Sequence, residues 1–287
     1  MFAYFLVMRK KSSSKKIYSN LFRKILNLLY IINMNRSSNT QAIILNLKTL
    51  GENNFNVTIL SPNLGISYAT LYGGPKSKMR SLVSQFNSGK IWLYENPEKK
   101  QTKITDFEVE NYHHSFSQNL FKMYAASLVA ELAIKTHCGG SNKQCFTLVK
   151  GFYDGMELCN EEQSKLGLVR FLWRYLEILG IQPQTNICGS CGRSFLNSEI
   201  ESNTFSHYNI FENYFICPFC SSEKTDKQIK TNTVRYLAAI SVLSPQEARK
   251  LKIDKETYEQ IKNIIFFLIE NSIEQKLNSI EIGMGIL

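Results

Sequence analysis

Four of the seven cysteines stand in two identically spaced pairs, Cys188-Gly189-Ser190-Cys191-Gly192 and Cys217-Pro218-Phe219-Cys220. Two intervening residues let both thiolates of a pair face one ion while nearby backbone N–H groups donate to sulfur. Gly189 and Gly192 suit the tight turn this needs. Two such turns offer a tetrahedral four-sulfur set, which fits zinc and fills its coordination sphere. A filled sphere leaves no position for a catalytic water, so the expected Zn2+ is structural. The competing readings are cysteines without metal and an iron–sulfur cluster. The 25 residues between the pairs form a longer loop than usual. Within it, 205–208 and 213–216 read as a hairpin, and His207 reads as a satisfied loop histidine before a substitute ligand.

The remaining chemical signals fail. Gly73-Gly74-Pro75-Lys76-Ser77 has Pro75 where a phosphate-binding loop needs glycine, and it lacks the upstream glycine. Gly65-Ile66-Ser67-Tyr68-Ala69 puts alanine where a nucleophile elbow needs glycine. His113-His114 has no metal-binding context and reads as linker, and Cys138 and Cys159 read as small core residues. The chain is therefore expected not to be an enzyme. The odd cysteine count, with no secretory signal and no apolar run long enough to span a bilayer, points to a reducing, cytoplasmic setting without membrane contact.

A different chemistry is offered by Lys76, Lys78 and Arg80, which follow a strand pattern and lie near Tyr68, Tyr72, Trp92 and Tyr94. Cations track phosphates and aromatic faces stack bases, the pairing that single-strand binding requires. The bland alternative is that the aromatics pack a core and the lysines are merely solvated. Net charge does not decide between them. The formal charge is +10, but eight Lys/Arg and no acid lie in residues 1–36, leaving +2 on the rest.

The elements that must position these residues change in kind along the chain. From 41 to about 106, short alternating runs separated by turn residues predict five strands: 42–47, 55–60, 66–72, 91–94 and 102–109. A helix over 77–87 between the third and fourth strands suits an OB-fold barrel. From 117 the period becomes helical, with a stripe of Leu120, Tyr124, Leu128 and Leu132. Further helices are predicted over 145–158, 165–179 (with Gly180 beyond its end), 233–243, a short one opened by the Ser244-Pro245-Gln246-Glu247 capping box, and one from Asp254 to about Leu277. The fold expected is α+β: an N-terminal five-stranded OB-fold barrel (37–112), then an all-helical domain (113–187 and 221–287) with an inserted four-cysteine zinc module (188–220). Residues 1–36 are a basic extension. It reads as a targeting peptide, a membrane-surface segment, or sequence lying ahead of a domain that starts at Met34.

The order of parts resembles the bacterial RecO family. Gln41-Ala42-Ile43-Ile44-Leu45 and Gly51-Glu52 open the barrel, a strand runs into Gly73 and Lys76-Ser77-Lys78, and Leu179-Gly180-Ile181-Gln182-Pro183 leads into Cys188-x-x-Cys191-Gly192. The resemblance covers nearly everything from about Asn39. It implies a DNA-repair and recombination mediator of the RecF-type pathway, active at the nucleoid. Such a protein binds single- and double-stranded DNA, anneals strands, partners RecR, contacts the C-terminal tail of single-strand-binding protein and helps load RecA. By position, Lys76, Lys78 and Arg80 would touch DNA, with Tyr72 and Trp92 as the nearby rings, and the four cysteines would bind zinc. Arg170 and Arg174, one turn apart on an apolar helix, are candidates for the tail-binding groove. The departure is at Gly74-Pro75, where family members usually carry further basic residues, which puts the strength of DNA binding in doubt. The main alternative is a zinc-stabilised adaptor that binds only proteins; a zinc-using nucleic-acid enzyme is a second.

Overall fold

The computed structural model describes residues 36–74, 76–196, 200–201, 204–221, 227–273, 276–283 and 285–287. The basic head, Arg36 apart, and Pro75 lie outside them.

The first unit is a closed barrel of β1 (Ser37–Leu50), β2 (Asn54–Ser61), β3 (Gly65–Leu71), β4 (Ser88–Asn96) and β5 (Gln101–Asn111), in the order β1-β2-β3-β5-β4. The expected five strands and OB-type plan are therefore present. Long β1 pairs with both β2 and β4, and a bulge between Ile44 and Asn46 lets it curve around the barrel. Parallel pairing of β3 with β5 at Thr70 and Lys103 completes the closure. Strand alternation sends Ala42, Ile44, Val57, Ile59, Ala69, Leu71, Ile91, Leu93, Ile104 and Phe107 inward.

The helix between β3 and β4 is α1 (Lys78–Leu82), far shorter than the predicted 77–87. The reason is β1: Phe86 N–H donates to Ile44 O and Ile44 N–H to Asn87 O, so residues 86–87 already run as ladder. Phe86 makes that switch in the left-handed region, at φ 72°.

The second unit comprises α2 (Ser115–Gln118), α3 (Leu120–Lys135), a 3₁₀ turn (His137–Gly140), α4 (Asn142–Glu157), α5 (Glu161–Ile178), α6 (Thr231–Val242), α7 (Pro245–Ala248), α8 (Lys255–Ser272) and α9 (Asn278–Ile282). The one-sided stripe expected for α3 is corrected. Leu120 is 61% exposed and Tyr124 is half-buried, whereas Phe121, Ala125, Ala126, Leu128, Val129, Leu132 and Ala133 bury a broad face of the helix. Small alanines on that face let neighbouring helices close over it. The α5 start lies a turn earlier than predicted because Asn160 and Gln163 form a capping box. Its end is as read: Gly180 sits at φ 72°, Gly180 N–H donates to Glu177 O and Ile181 N–H to Leu176 O. The Ser244–Glu247 box and the Asp254 cap also form, but α8 stops at Ser272.

Between α5 and α6 stands a three-stranded sheet of β6 (Phe205–Asn209), β7 (Tyr214–Ile216) and β8 (Lys227–Lys230), in the order β7-β6-β8. The hairpin was legible; β8, which runs straight into α6, was not. Among the described residues no helix is long and apolar enough to cross a membrane.

His113 stands in the connection between β5 and α2, as expected, yet it is a packed residue. It is buried where barrel meets helices, stacked on Phe116, with Nδ1 2.8 Å from Phe86 O and Nε2 3.0 Å from Asp154 Oδ1. Asn111 Nδ2 and Lys150 Nζ also donate to Asp154. Burial pushes the Asp154 carboxyl up, but the His113 and Lys150 contacts outweigh it and hold it below the usual carboxylate range. A carboxylate lowered in the folded state stabilises fully above its unfolded value, and that contribution is lost as pH falls through the lowered one. Asp154→Asn should therefore cost stability near neutrality, with the difference shrinking below about pH 4. Urea midpoints of both proteins from pH 6 to 3 check this; a constant gap would refute it.

Candidate functional site

Three places combine reactive or charged side chains with a surface: the cysteine cluster, the outer face of the barrel, and a groove between helices.

The backbone builds the cysteine cluster. Cys188 N–H donates to Arg193 O, and Gly192 N–H to Cys188 O with Gly192 at φ 71°, closing the first turn. Gly189 N–H donates to Phe215 O, which ties this turn to β7, and Cys220 N–H to Cys217 O closes the second. At Gly189 a Cβ would stand 2.2 Å from the Tyr214 ring, so only glycine allows the approach. The four sulfurs lie within 4.8 Å of one another. Cys191 and Cys217 Sγ are 3.8 Å apart. A tetrahedron of sulfurs about 2.3 Å from a central ion has edges of about 3.8 Å, so the spacing fits a metal and not a disulfide.

Burial raises the Cys188 thiol, but the N–H groups of Cys217, Cys191 and Ser190 outweigh it and bring it down to about 7. Cys220 is pushed up to about 12, first by its contact with Cys191 and then by burial. Four crowded thiols cannot all ionise alone; a divalent cation at their centre would allow it. The cluster can hold a metal ion. His207 is not part of it. It is buried on β6, and its Nδ1 has no partner among the described residues.

On the barrel, Tyr68 and Tyr72 are exposed, and Trp92 and Tyr94 lie partly exposed on the outer face of β4. None enters the barrel core, which aliphatic residues and Phe107 fill without them. Lys76 and Lys78 are exposed, while Arg80 is half-buried with its guanidinium 4.5 Å from the Phe55 ring centre. Sequence reasoning missed two lysines that lie against these rings. Lys90 Nζ lies 5.1 Å from the Trp92 ring centre and Lys103 Nζ 4.7 Å from that of Tyr94. Their outward alternation was readable, but the β3–β5 pairing that brings Lys103 beside the Tyr72 strand is a long-range contact.

On the helices, Arg170 and Arg174 line a groove of about 950 Å³ between α4, α5 and α7. Its walls include Leu148, Phe152, Met156, Leu166 and Phe171, with Lys143 and Arg249 adding charge. Arg170 is buried, donating to Tyr236 OH at 2.7 Å and Leu251 O at 3.1 Å. Arg174 donates to Leu243 O at 2.8 Å, and burial, then the charge of Arg170, lowers its affinity for the proton. Among the described residues neither arginine is ion-paired. Two fixed, partly desolvated cations in an apolar groove favour an anion attached to an apolar body. Cys159, expected in the core, is only partly buried and lines this groove instead, since α4 ends just before it. Cys138 is buried as expected.

Comparison with known proteins agrees with this architecture. The family model for the N-terminal part of recombination protein O matches residues 34–113, and that for its C-terminal part matches residues 117–281. The chain is similar to a protein named DNA repair protein RecO from Dehalococcoides mccartyi strain 195, 25% identical over 226 residues, covering 78% of this chain and 85% of the relative. A protein of the same name from strain CBDB1 is 24% identical over 229 residues, with the same coverage.

Replacing Gly189 with Ala should drive a methyl into Tyr214, pull the first turn off β7 and lower bound metal well below the wild-type level. Metal content of purified protein, read with a chelator-dependent drop in melting temperature, checks this. Full metal occupancy in the variant would show that the turn geometry is not required.

Proposed function

We propose, from the premise that this chain belongs to the RecO family of DNA repair proteins, that it is a non-enzymatic recombination mediator. In this reading it binds single- and double-stranded DNA through the barrel (37–112), anneals complementary strands, and takes the acidic, apolar tail of single-strand-binding protein into the Arg170/Arg174 groove. It partners RecR and helps load RecA onto coated single strands at the nucleoid. Cys188, Cys191, Cys217 and Cys220 hold a structural zinc ion that stiffens the module at 188–220 within the helical part (113–187 and 221–287).

The observation that carries the reading is the coexistence on one packed body of two anion-accepting surfaces of different kinds. The barrel surface offers exposed Lys76 and Lys78 a few residues past Tyr72, Arg80 against the Phe55 ring, and Lys90 against the ring of Trp92. Mobile surface cations next to aromatic faces suit a flexible polyanion whose bases can stack. The helical groove offers rigid guanidinium groups in apolar walls. That combination suits a short peptide bearing carboxylates and bulky side chains. DNA held by one surface and a strand-coating protein held by the other places the chain where strands are exchanged between partners. The modest +2 on residues after 36 favours the second reading, an adaptor without DNA affinity of its own.

Anisotropy of a labelled single strand across a salt series separates the two. Binding should weaken steeply with salt, and Lys76→Ala/Lys78→Ala/Arg80→Ala should flatten the slope by about 0.7 for each phosphate no longer neutralised. An unchanged slope in the triple variant would remove these residues from the interface; no salt-sensitive binding by the wild type would leave the adaptor reading. In the groove, Arg174→Ala should weaken an acidic apolar peptide about tenfold or more, the scale of a charge-assisted hydrogen bond. Equal affinity in calorimetry would move the peptide elsewhere.

A further inference from the structure

Beyond the Lys76–Arg80 segment, the barrel carries a second concave feature. A groove of about 470 Å³ is bounded by Tyr72, Tyr94, Lys99, Gln101 and Lys103. The register explains the convergence. Tyr94 of β4 pairs with Lys103 of β5, and Lys103 in turn pairs with Thr70 of β3. The outward side chains of β5 therefore form a floor between two aromatic walls, Tyr94 on one side and Tyr72, just past β3, on the other. Gln101 Nε2 donates to Tyr72 OH at 2.5 Å, which orients that ring. Tyr72 remains 48% exposed, and Lys103 Nζ hovers 4.7 Å from the centre of the Tyr94 ring.

We infer that this groove holds one unpaired nucleobase, stacked on Tyr94, and that it makes the barrel prefer single-stranded to double-stranded DNA. The inference rests on the DNA-binding reading above and adds to it the form of DNA selected. Two rings that the barrel core does not need are kept at the surface, facing a cleft with ammonium groups at its edge. Stacking of a base on such a ring is worth more than an exposed cation–π contact. An arriving base therefore displaces Lys103 from the ring, and the freed ammonium is positioned for the adjoining phosphate. A base inside a duplex is stacked on both faces and has none to offer. Charge alone would not select a strand form here, because Glu98 lies in the β4–β5 turn with Lys99 and Lys100, and Glu95 stands near the end of β4. The preference comes from the rings.

The test uses the full chain, with single- and double-stranded oligonucleotides of one sequence measured by anisotropy across salt. Tyr94→Leu should weaken single-strand binding about tenfold. Duplex binding and the salt slope should stay as in the wild type, and Tyr94→Phe should restore single-strand affinity. Equal losses for both DNA forms, or no loss for single strands, would overturn the pocket while leaving the DNA-binding reading in place. Absence of binding to either form by the wild type would overturn both. As a check independent of any variant, a single strand carrying 5-iodouracil and irradiated on the wild-type protein should label the peptide containing Tyr72 or Tyr94; labelling confined to other peptides would equally overturn the pocket.

Discussion

The middle of strand β1, residues 42–45, is buried on both of its faces, and the remainder of the molecule is arranged around that constraint. Ala42 and Ile44 point into the barrel, while Ile43 and Leu45 point out of it into the core shared with α3 and α4. All four are fully buried. A side chain of this size contributes about 1.5–3 kcal/mol when removed from water, so neither set can be exposed without a large fraction of a typical domain's stability being lost. The barrel and the helices are thus one packed body. Leu60 and Phe86 extend the seam, and the His113–Asp154 contact seals its edge with charge.

That seam also accounts for the distribution of chemistry. One side of the barrel is spent on the helices. The side carrying Tyr72, Trp92, Tyr94 and Lys103 is left to solvent, so exposed rings there are not surplus core. The interior is already filled by smaller aliphatic residues and Phe107. On the helices, α3 gives its broad apolar face to the core, and α4, α5 and α7 form the outer groove. Arg170 and Arg174 are held there by a tyrosine hydroxyl and backbone carbonyls, which satisfy some of their N–H groups without neutralising their charge. A cation fixed in this way is pre-organised for an incoming carboxylate, and little conformational freedom is lost when one binds.

The cysteine module stands apart from both surfaces in chemistry. Its sulfurs are presented by two tight turns, one anchored to β7 through Gly189 and Phe215. Its sheet hands the chain directly from β8 to α6. A metal at this point would act on folding more than on recognition, since it would cross-link a long insertion between two helices that pack against each other.

Much of this was present in the amino-acid sequence alone. The five strands, the cysteine spacing, the Ser244 and Asp254 caps, the Gly180 stop and the order of parts all rest on local rules: side-chain period, turn chemistry and capping. The apolar run 42–45 was visible as a strand, but that its alternate residues serve two different cores was not, because period alone does not say what lies on either side. Local rules also misjudged α1, which Ile44 shortens by capturing residues 86–87, and α3, whose Leu120 faces water. The site divides in the same way. Lys76, Lys78, Arg80, Tyr72 and Trp92 could be named from their types and neighbours in the chain. The pairing of β5 with β3, which sets Lys103 and Gln101 between Tyr94 and Tyr72, joins residues some thirty positions apart, and the packing that puts Arg170 against Tyr236 joins residues 66 apart. Local periodicity and spacing determined which elements and which donors exist; only long-range packing decided which of them share a surface.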